Sequence, residues 1–101
     1  MIRMRKCCFI EFLDNRIYVF DNDKQEWHNI DKIEDVMAKL IEIKGDSITL
    51  TVFISTIGLG RMNYDIIKNS KLDMKGIYLI PVNAPMFDNI AEGDLCENSR
   101  F

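Results

Sequence analysis

Residues 8–21 read CFIEFLDNRIYVFD, and this stretch decides how the chain begins to fold. Cys8, Ile10 and Phe12 alternate with Phe9, Glu11 and Leu13. Past Asp14-Asn15, Ile17 and Val19 alternate with Tyr18 and Phe20. Side chains two apart in a strand share a face, so each half reads as a strand. Asp and Asn tolerate the left-handed backbone that a two-residue type I′ hairpin loop needs. With Leu13 opposite Arg16, Phe12 faces Ile17 and Ile10 faces Val19, and these four build one buried face. The other face carries Phe9, Tyr18, Phe20, Glu11 and Arg16. Phe9 opposite Phe20 is a large apolar pair, so this second face is expected to be partly covered too.

Downstream, Asp21-Asn22-Asp23-Lys24 reads as a second turn, and Gln25–Ile30 as a short third strand carrying Trp27. Asp31 stands three residues before Glu34, close to a capping box, and predicts a helix start. Ile33, Val36, Met37, Leu40 and Ile41 then fall on one helical face, with Lys32, Glu34, Asp35, Lys39 and Glu42 on the other. Gly45 supplies the stop. Ser47–Ser55 alternates Ile48, Leu50, Val52 and Ile54 against Thr49, Thr51 and Phe53, a strand of β-branched character suited to the interior of a sheet. Gly58 and Gly60 open a loop, and a short helix over Met62–Asn69 uses Tyr64, Ile66 and Ile67 as apolar contacts. Ile77–Ile80 is an apolar run of the kind found in a buried parallel strand, ended by Pro81 and Pro85.

A helix between two strands of one sheet normally makes them parallel. The predicted class is therefore α/β (α+β): a hairpin or three-stranded meander, then α-β-α-β, giving a mixed five-stranded sheet with helices on at least one face. The chain has 101 residues, the size of one small domain. We read 1–6 as a basic tail, 7–82 as a single globular domain, and 83–101 as a C-terminal tail with one turn around Met86–Ile90.

Net charge is −3, from 13 basic and 16 acidic residues. No basic stripe is present to offset phosphates, so no nucleic-acid partner is expected. Arg3, Arg5 and Lys6 read as a solvated end. Three cysteines, Cys7, Cys8 and Cys96, make no metal spacing, and their odd number favours reduced thiols in a cytosol. Cys7 and Cys8 point to opposite faces if they lie in a strand. The first residues do not read as a signal peptide, and no apolar run is long enough for a membrane span.

The residues of known chemistries are mostly missing. Two-metal nuclease sites need several converging carboxylates. Glu11 lies in the first strand, but the later strand ends in Ile54-Ser55-Thr56 without an acid, so Glu11 reads as an exposed or paired strand residue. Phosphate-wrapping hairpins use a Gly for close backbone approach. Here the turn is Leu13-Asp14-Asn15-Arg16, without Gly and too tight. Gly58-Leu59-Gly60 lacks the third Gly of a dinucleotide fingerprint and the Lys-Ser/Thr of a P-loop. It reads as a connector, with an anion site at the helix start as the alternative. His28, the single histidine, reads as structural, and Ser47, Ser55 and Ser70 sit in no nucleophile elbow. No catalytic, cofactor or metal residue is assigned. What remains is surface: Trp27, Phe53, Tyr64 and Tyr78 as an apolar patch for a partner, and Asp31, Glu34 and Asp35 among the acids around the helix start.

By the order of its elements over residues 7–82, the chain resembles a degenerate actin-like, ribonuclease H-like half domain. Such lobes form the cytoplasmic domains of bacterial inner-membrane platform proteins in type II secretion and type IV pilus assembly. The matching parts are the hairpin Cys8–Asp21, the helix after Asp31, the strand Ser47–Ser55, the loop through Gly58 and Gly60, and the strand Ile77–Ile80. The resemblance implies a non-enzymatic scaffold that docks an assembly ATPase or another platform subunit, in the cytoplasm at the inner face of the inner membrane. A different class stays open: a small acidic inhibitor or immunity-type protein from a phage or mobile element. Such a protein presents carboxylates to a basic toxin or nucleic-acid-processing enzyme. A metal-dependent nuclease with unplaced ligands is a third reading, and pairing with another copy through a long edge strand a further expectation.

Overall fold

The computed structural model describes residues 5–13, 15–70 and 75–84. Its elements follow the expected order: β1 (Arg5–Leu13), β2 (Arg16–Asp21), β3 (Glu26–Ile30), α1 (Ile33–Lys44), β4 (Thr49–Ser55), α2 (Gly60–Asn69) and β5 (Ile77–Val82). One five-stranded mixed sheet runs β3-β2-β1-β4-β5. The meander pairs antiparallel, whereas β4 lies parallel to β1 and β5 parallel to β4. This is an α+β class with two helices.

The hairpin register is the one the alternation predicts, with Leu13 opposite Arg16, Phe12 opposite Ile17 and Ile10 opposite Val19. Asn15 takes φ 64, the left-handed conformation that such a turn requires. Asp14 lies outside the described residues. At the second turn, the Asp21 carboxylate accepts N–H bonds from Asp23 at 3.1 Å and Lys24 at 3.3 Å. A short acidic side chain bonding its own backbone two residues on is why Asp favours turns.

Both helices pack on one face of the sheet. There Cys8, Ile10, Val19, Leu50, Val52 and Ile54 meet Val36, Met37 and Leu40 of α1 and Tyr64 and Ile67 of α2. The other face has a core of its own, formed by Cys7, Phe9, Phe20 and Phe53 with Ile80 and Val82 against it. The pairing registers align Trp27, Phe20, Phe9, Phe53 and Ile80 as one row across all five strands. Neighbouring rings along it lie at centroid distances of 4.8 Å (Trp27–Phe20), 6.3 Å (Phe20–Phe9) and 5.5 Å (Phe9–Phe53), within the range of favourable aromatic pairing.

Several expectations need correction. No capping box forms: the N-cap of α1 is Lys32, without a side-chain cap bond. Ile30 is held in β3 opposite Ile17, so the chain needs Asp31 and Lys32 to turn before helical geometry can begin. Ile43, not Ile41, completes the buried face of α1, and Ile41 is exposed. β4 begins at Thr49, leaving Ile48 exposed. β5 is an edge strand rather than a fully buried one, with Tyr78 exposed, and it runs through Pro81 to Val82. An edge tolerates proline because a missing N–H can face away from the ladder. The sheet starts at Arg5, inside the expected N-terminal tail, and Lys6 Nζ donates to the Ile43 carbonyl at 3.1 Å. The expected C-terminal tail, and its turn around Met86–Ile90, lie outside the described residues beyond position 84.

Cys7 and Cys8 do face opposite sides of the sheet. Cys7 is disulfide-bonded, in place of the reduced thiol expected. Cys8 is free and wholly buried, and burial, helped by the nearby Asp21 carboxylate, pushes its thiol well above the ordinary range. Thiolate is the reactive form, so Cys8 should resist alkylation in the native protein and label fully once urea unfolds it. Cys7 should label only when reductant is added as well. Mass spectrometry of the alkylated peptides reads both. Because the folded state holds the Cys8 proton more tightly, its contribution to stability is complete below the unfolded thiol value of about 8.5 and declines as pH rises above it.

Candidate interaction surface

Among the described residues, an exposed apolar surface lies on the outer side of α2 and in the groove between α2 and α1. α2 is amphipathic in the expected sense on its inner side, where Gly60, Tyr64 and Ile67 are buried. A second apolar stripe runs along its outer side. Leu59, Met62 and Ile66 are 52%, 57% and 46% exposed, at spacings of three and four residues that bring them onto one helical face. Arg61 and Asp65 flank the stripe as an exposed i,i+4 pair at 3.9 Å.

Two hollows border this ridge. One is lined by Phe12, Ile17, Ile33, Leu59 and Met62 with Asp31 and Arg16 at its rim. The other is an open apolar groove of about 200 Å³ between the helices, lined by Ile33, Met37, Ile66 and Ile67 with Glu34 and Ser70. Asp31, Glu34 and Asp35 are all exposed. Glu34 and Asp35 lie in the first turn of α1, where carboxylates interact favourably with the helix dipole. The first hollow holds one carboxylate, Asp31, together with Arg16, and the groove holds one, Glu34; Asp35 lines neither.

Of the four aromatic candidates, Phe53 and Tyr64 are buried, the first in the aromatic row and the second beneath α2. They are core and leave the surface patch. Trp27 and Tyr78 are exposed but sit on opposite edge strands, β3 and β5, about 19 Å apart at the usual interstrand spacing. They form no common patch. Ile66, expected as an inner contact, lies on the outer ridge. The signal for this ridge was in the sequence: Leu59, Met62 and Ile66 recur at helical spacing opposite Tyr64 and Ile67, two apolar stripes on a helix that needs one for its core.

The remaining polar candidates are tied into the fold. Glu11 is buried and engaged. Ser47 and Ser70 hydroxyls donate to the backbone carbonyls of Lys44 and Ile67, and Ser55 Oγ accepts the Ile57 N–H at 3.4 Å. His28 lies 3.8 Å from the Glu26 carboxylate, beside a cleft that also collects Lys6, Asp21, Lys24, Lys39 and Glu42. Within it Lys39 donates to Glu42 at 2.9 Å and holds that carboxyl below its usual range. Its cations and carboxylates balance one another. Among the described residues, no group of three or more His, Cys, Asp or Glu side chains is placed to hold a metal ion, and no helix is long and apolar enough to cross a membrane.

The Gly-x-Gly segment has a packing explanation. A Cβ on Gly60 would meet the Ser55 carbonyl oxygen at 2.0 Å, so α2 can start against the end of β4 only without a side chain there. The Gly60 N–H is bonded to the Ile57 carbonyl at 2.9 Å and is not offered to an anion. No protein-family model, curated protein or solved structure matches this chain.

Proposed function

We propose that this chain is a non-enzymatic protein-interaction module whose working surface is the outer side of the two helices. The observation that carries this reading is the exposed apolar ridge Leu59, Met62 and Ile66 beside the α1–α2 groove. Each side chain standing half in water loses that cost on docking, at roughly 25 cal/mol for each Å² covered. In its finer form, the proposal is a degenerate actin-like, ribonuclease H-like half domain acting as a scaffold in a bacterial secretion or pilus machine. It would dock an assembly ATPase or a platform subunit without nucleotide chemistry of its own. The sheet supports the fold part, with a meander on one side of β1 and two parallel crossover strands on the other. The named partners rest on the resemblance in element order. The cytoplasmic location that comes with it requires Cys7 to be reduced in the cell, because cytosolic thiols are kept reduced. Labelling of Cys7 in freshly quenched cells, with and without reductant, checks that part.

A second reading is favoured by the joint exposure of Asp31, Glu34 and Asp35: an acidic inhibitor that meets a basic enzyme or toxin. Affinity capture from the source cell, with the wild type and a Glu34→Lys/Asp35→Lys variant side by side, separates the two. The scaffold reading expects an assembly ATPase or platform subunit to be recovered by wild type. Recovery of a basic toxin or nucleic-acid enzyme, lost in the charge-reversed variant, would replace the scaffold with the inhibitor.

A further inference from the structure

The second face of the sheet is buried although both helices lie on the first, and we infer that residues 85–101 of this chain cover it, tethered there by a Cys7–Cys96 disulfide. This face lies across the sheet from the α2 ridge, so the inference stands apart from the docking reading and is tested apart from it.

Three observations carry it. Cys7, Phe9, Phe20 and Phe53 are at most 5% exposed, yet among the described residues neither a helix nor a further strand lies over them. A bare face would leave such side chains wetted, as Trp27 and Tyr78 are at the two edges of the same face. The second observation is the state of the sulfurs. Cys7 is disulfide-bonded and Cys8 is free, and the third of the three cysteines is Cys96, outside the described residues. The third is reach. β5 ends at Val82, level with Ser55, whereas Cys7 is level with Thr51 on the far side of β4. At the usual strand spacing and rise the two lie about 16 Å apart. The chain from Val82 to Cys96 spans up to about 45 Å, so it reaches Cys7 with slack to lie over the face between. Met86, Phe87, Ile90 and Leu95 supply apolar side chains to set on the rings, and Asp88, Glu92, Asp94 and Glu97 supply a wet side.

The tether makes the cover redox-dependent. It forms from two thiols by two exchanges with glutathione disulfide, which leaves as two molecules of glutathione. It opens when a dithiol returns two electrons and two protons and itself becomes a disulfide. The loop it closes takes in most of the chain, the case in which a disulfide constrains the unfolded state most. In a reducing cytosol the bond is lost, and the row Phe20, Phe9 and Phe53 loses the anchor of its cover.

Peptide mapping of the full chain tests the tether. The protein is equilibrated with glutathione disulfide, alkylated with N-ethylmaleimide in urea without reductant, and digested with trypsin. Mass spectrometry should find peptide 7–16 joined to peptide 76–100, with a maleimide on Cys8. Two copies of 7–16 joined together, a glutathione on Cys7, or three alkylated cysteines would overturn the inference. Binding of anilinonaphthalene sulfonate, a dye that reports wetted apolar surface, tests the cover. Phe87→Asp with Ile90→Asp, the disulfide kept, should raise dye fluorescence about threefold or more at unchanged far-ultraviolet circular dichroism, as the rings of the second face meet water. Dye binding equal to wild type would mean that the segment is tethered but covers nothing, and overturns that part. Dithiothreitol should lower the melting temperature of wild type by at least about 8 °C and leave that of Cys96→Ser where it stands. The same shift in both proteins would overturn the pairing of Cys7 with Cys96.

Discussion

Gly60→Ala should destabilise the domain by about 3 kcal/mol or more, lowering its melting temperature by at least about 12 °C. The cause is space and not backbone conformation. Gly60 opens α2, and its added methyl would stand 2.0 Å from the Ser55 carbonyl oxygen and 2.9 Å from the Ser55 carbonyl carbon. Both atoms are backbone at the end of β4, an interior strand, so no rotamer change relieves the overlap. The first turn of α2 would have to back away, taking Tyr64 and Ile67 out of the core. Gly58, two residues earlier, is the internal control. It has φ +60 with nothing within 4 Å of an added Cβ, so Gly58→Ala meets only the left-handed backbone penalty of about 1–2 kcal/mol. Thermal melts of the two variants should rank Gly60→Ala clearly below Gly58→Ala. The reverse order, or a Gly60→Ala melt within a degree or two of wild type, would mean that α2 does not seat on Ser55 as described.

The same two glycines illustrate which features were legible in the sequence. Gly58-Leu59-Gly60 reads in the sequence as a connector, with an anion site as the alternative, because glycine spacing is visible in a sequence and close approach between distant backbones is not. The hairpin register was legible because a two-residue loop with period-two flanks admits one pairing. The helix α1 was legible from its period, yet its buried edge was misjudged by exchanging Ile41 for Ile43: both lie near the margin of the apolar stripe, and the path of α1 from the β3 edge to β4 decides between them. Phe53 was read as surface because strand alternation assigns sides but cannot tell that both sides are buried. Tyr64 reads both as an apolar contact of the short helix and as a patch candidate, and the first of these is where it lies. α2 carries two apolar stripes, and only the sheet beneath it determines which one is the core.

That two-sided burial sharpens the functional argument. The helices occupy one face of the sheet, and the aromatic row fills the centre of the other. Trp27 and Tyr78, the exposed aromatics that remain, stand on separate edges. Among the described residues, the outer ridge of α2 exposes large apolar side chains in a line, bordered by hollows that also hold Asp31 and Glu34. Scattered exposed apolar residues are ordinary, whereas a contiguous row calls for an occupant.

Phe9→Ala should cost about 3–5 kcal/mol, the range for emptying a buried aromatic site. Phe9 is 2% exposed and stands at the middle of the row, on the central strand β1, with Phe20 on one side and Phe53 on the other. Truncating it removes both ring contacts and leaves a cavity between strands that cannot close without bending the sheet. The row predicts a gradient. Phe9→Ala should exceed Trp27→Ala, because Trp27 is 42% exposed at the β3 edge and its tilted contact with Phe20 is worth only about 0.5–1.5 kcal/mol beyond area burial. Phe9→Leu should fall between wild type and Phe9→Ala, since it keeps most of the volume and loses the ring pairing. Urea unfolding followed by far-ultraviolet circular dichroism gives the three values on one scale, with a common slope if the variants unfold as one unit. Trp27 fluorescence adds a local reading: its native emission should change in Phe20→Ala, which removes its ring neighbour, and not in Phe9→Ala, one strand further in. If Phe9→Ala proves milder than Trp27→Ala, the second face is no core, and the aromatic row rather than α2 becomes the surface to search for a partner.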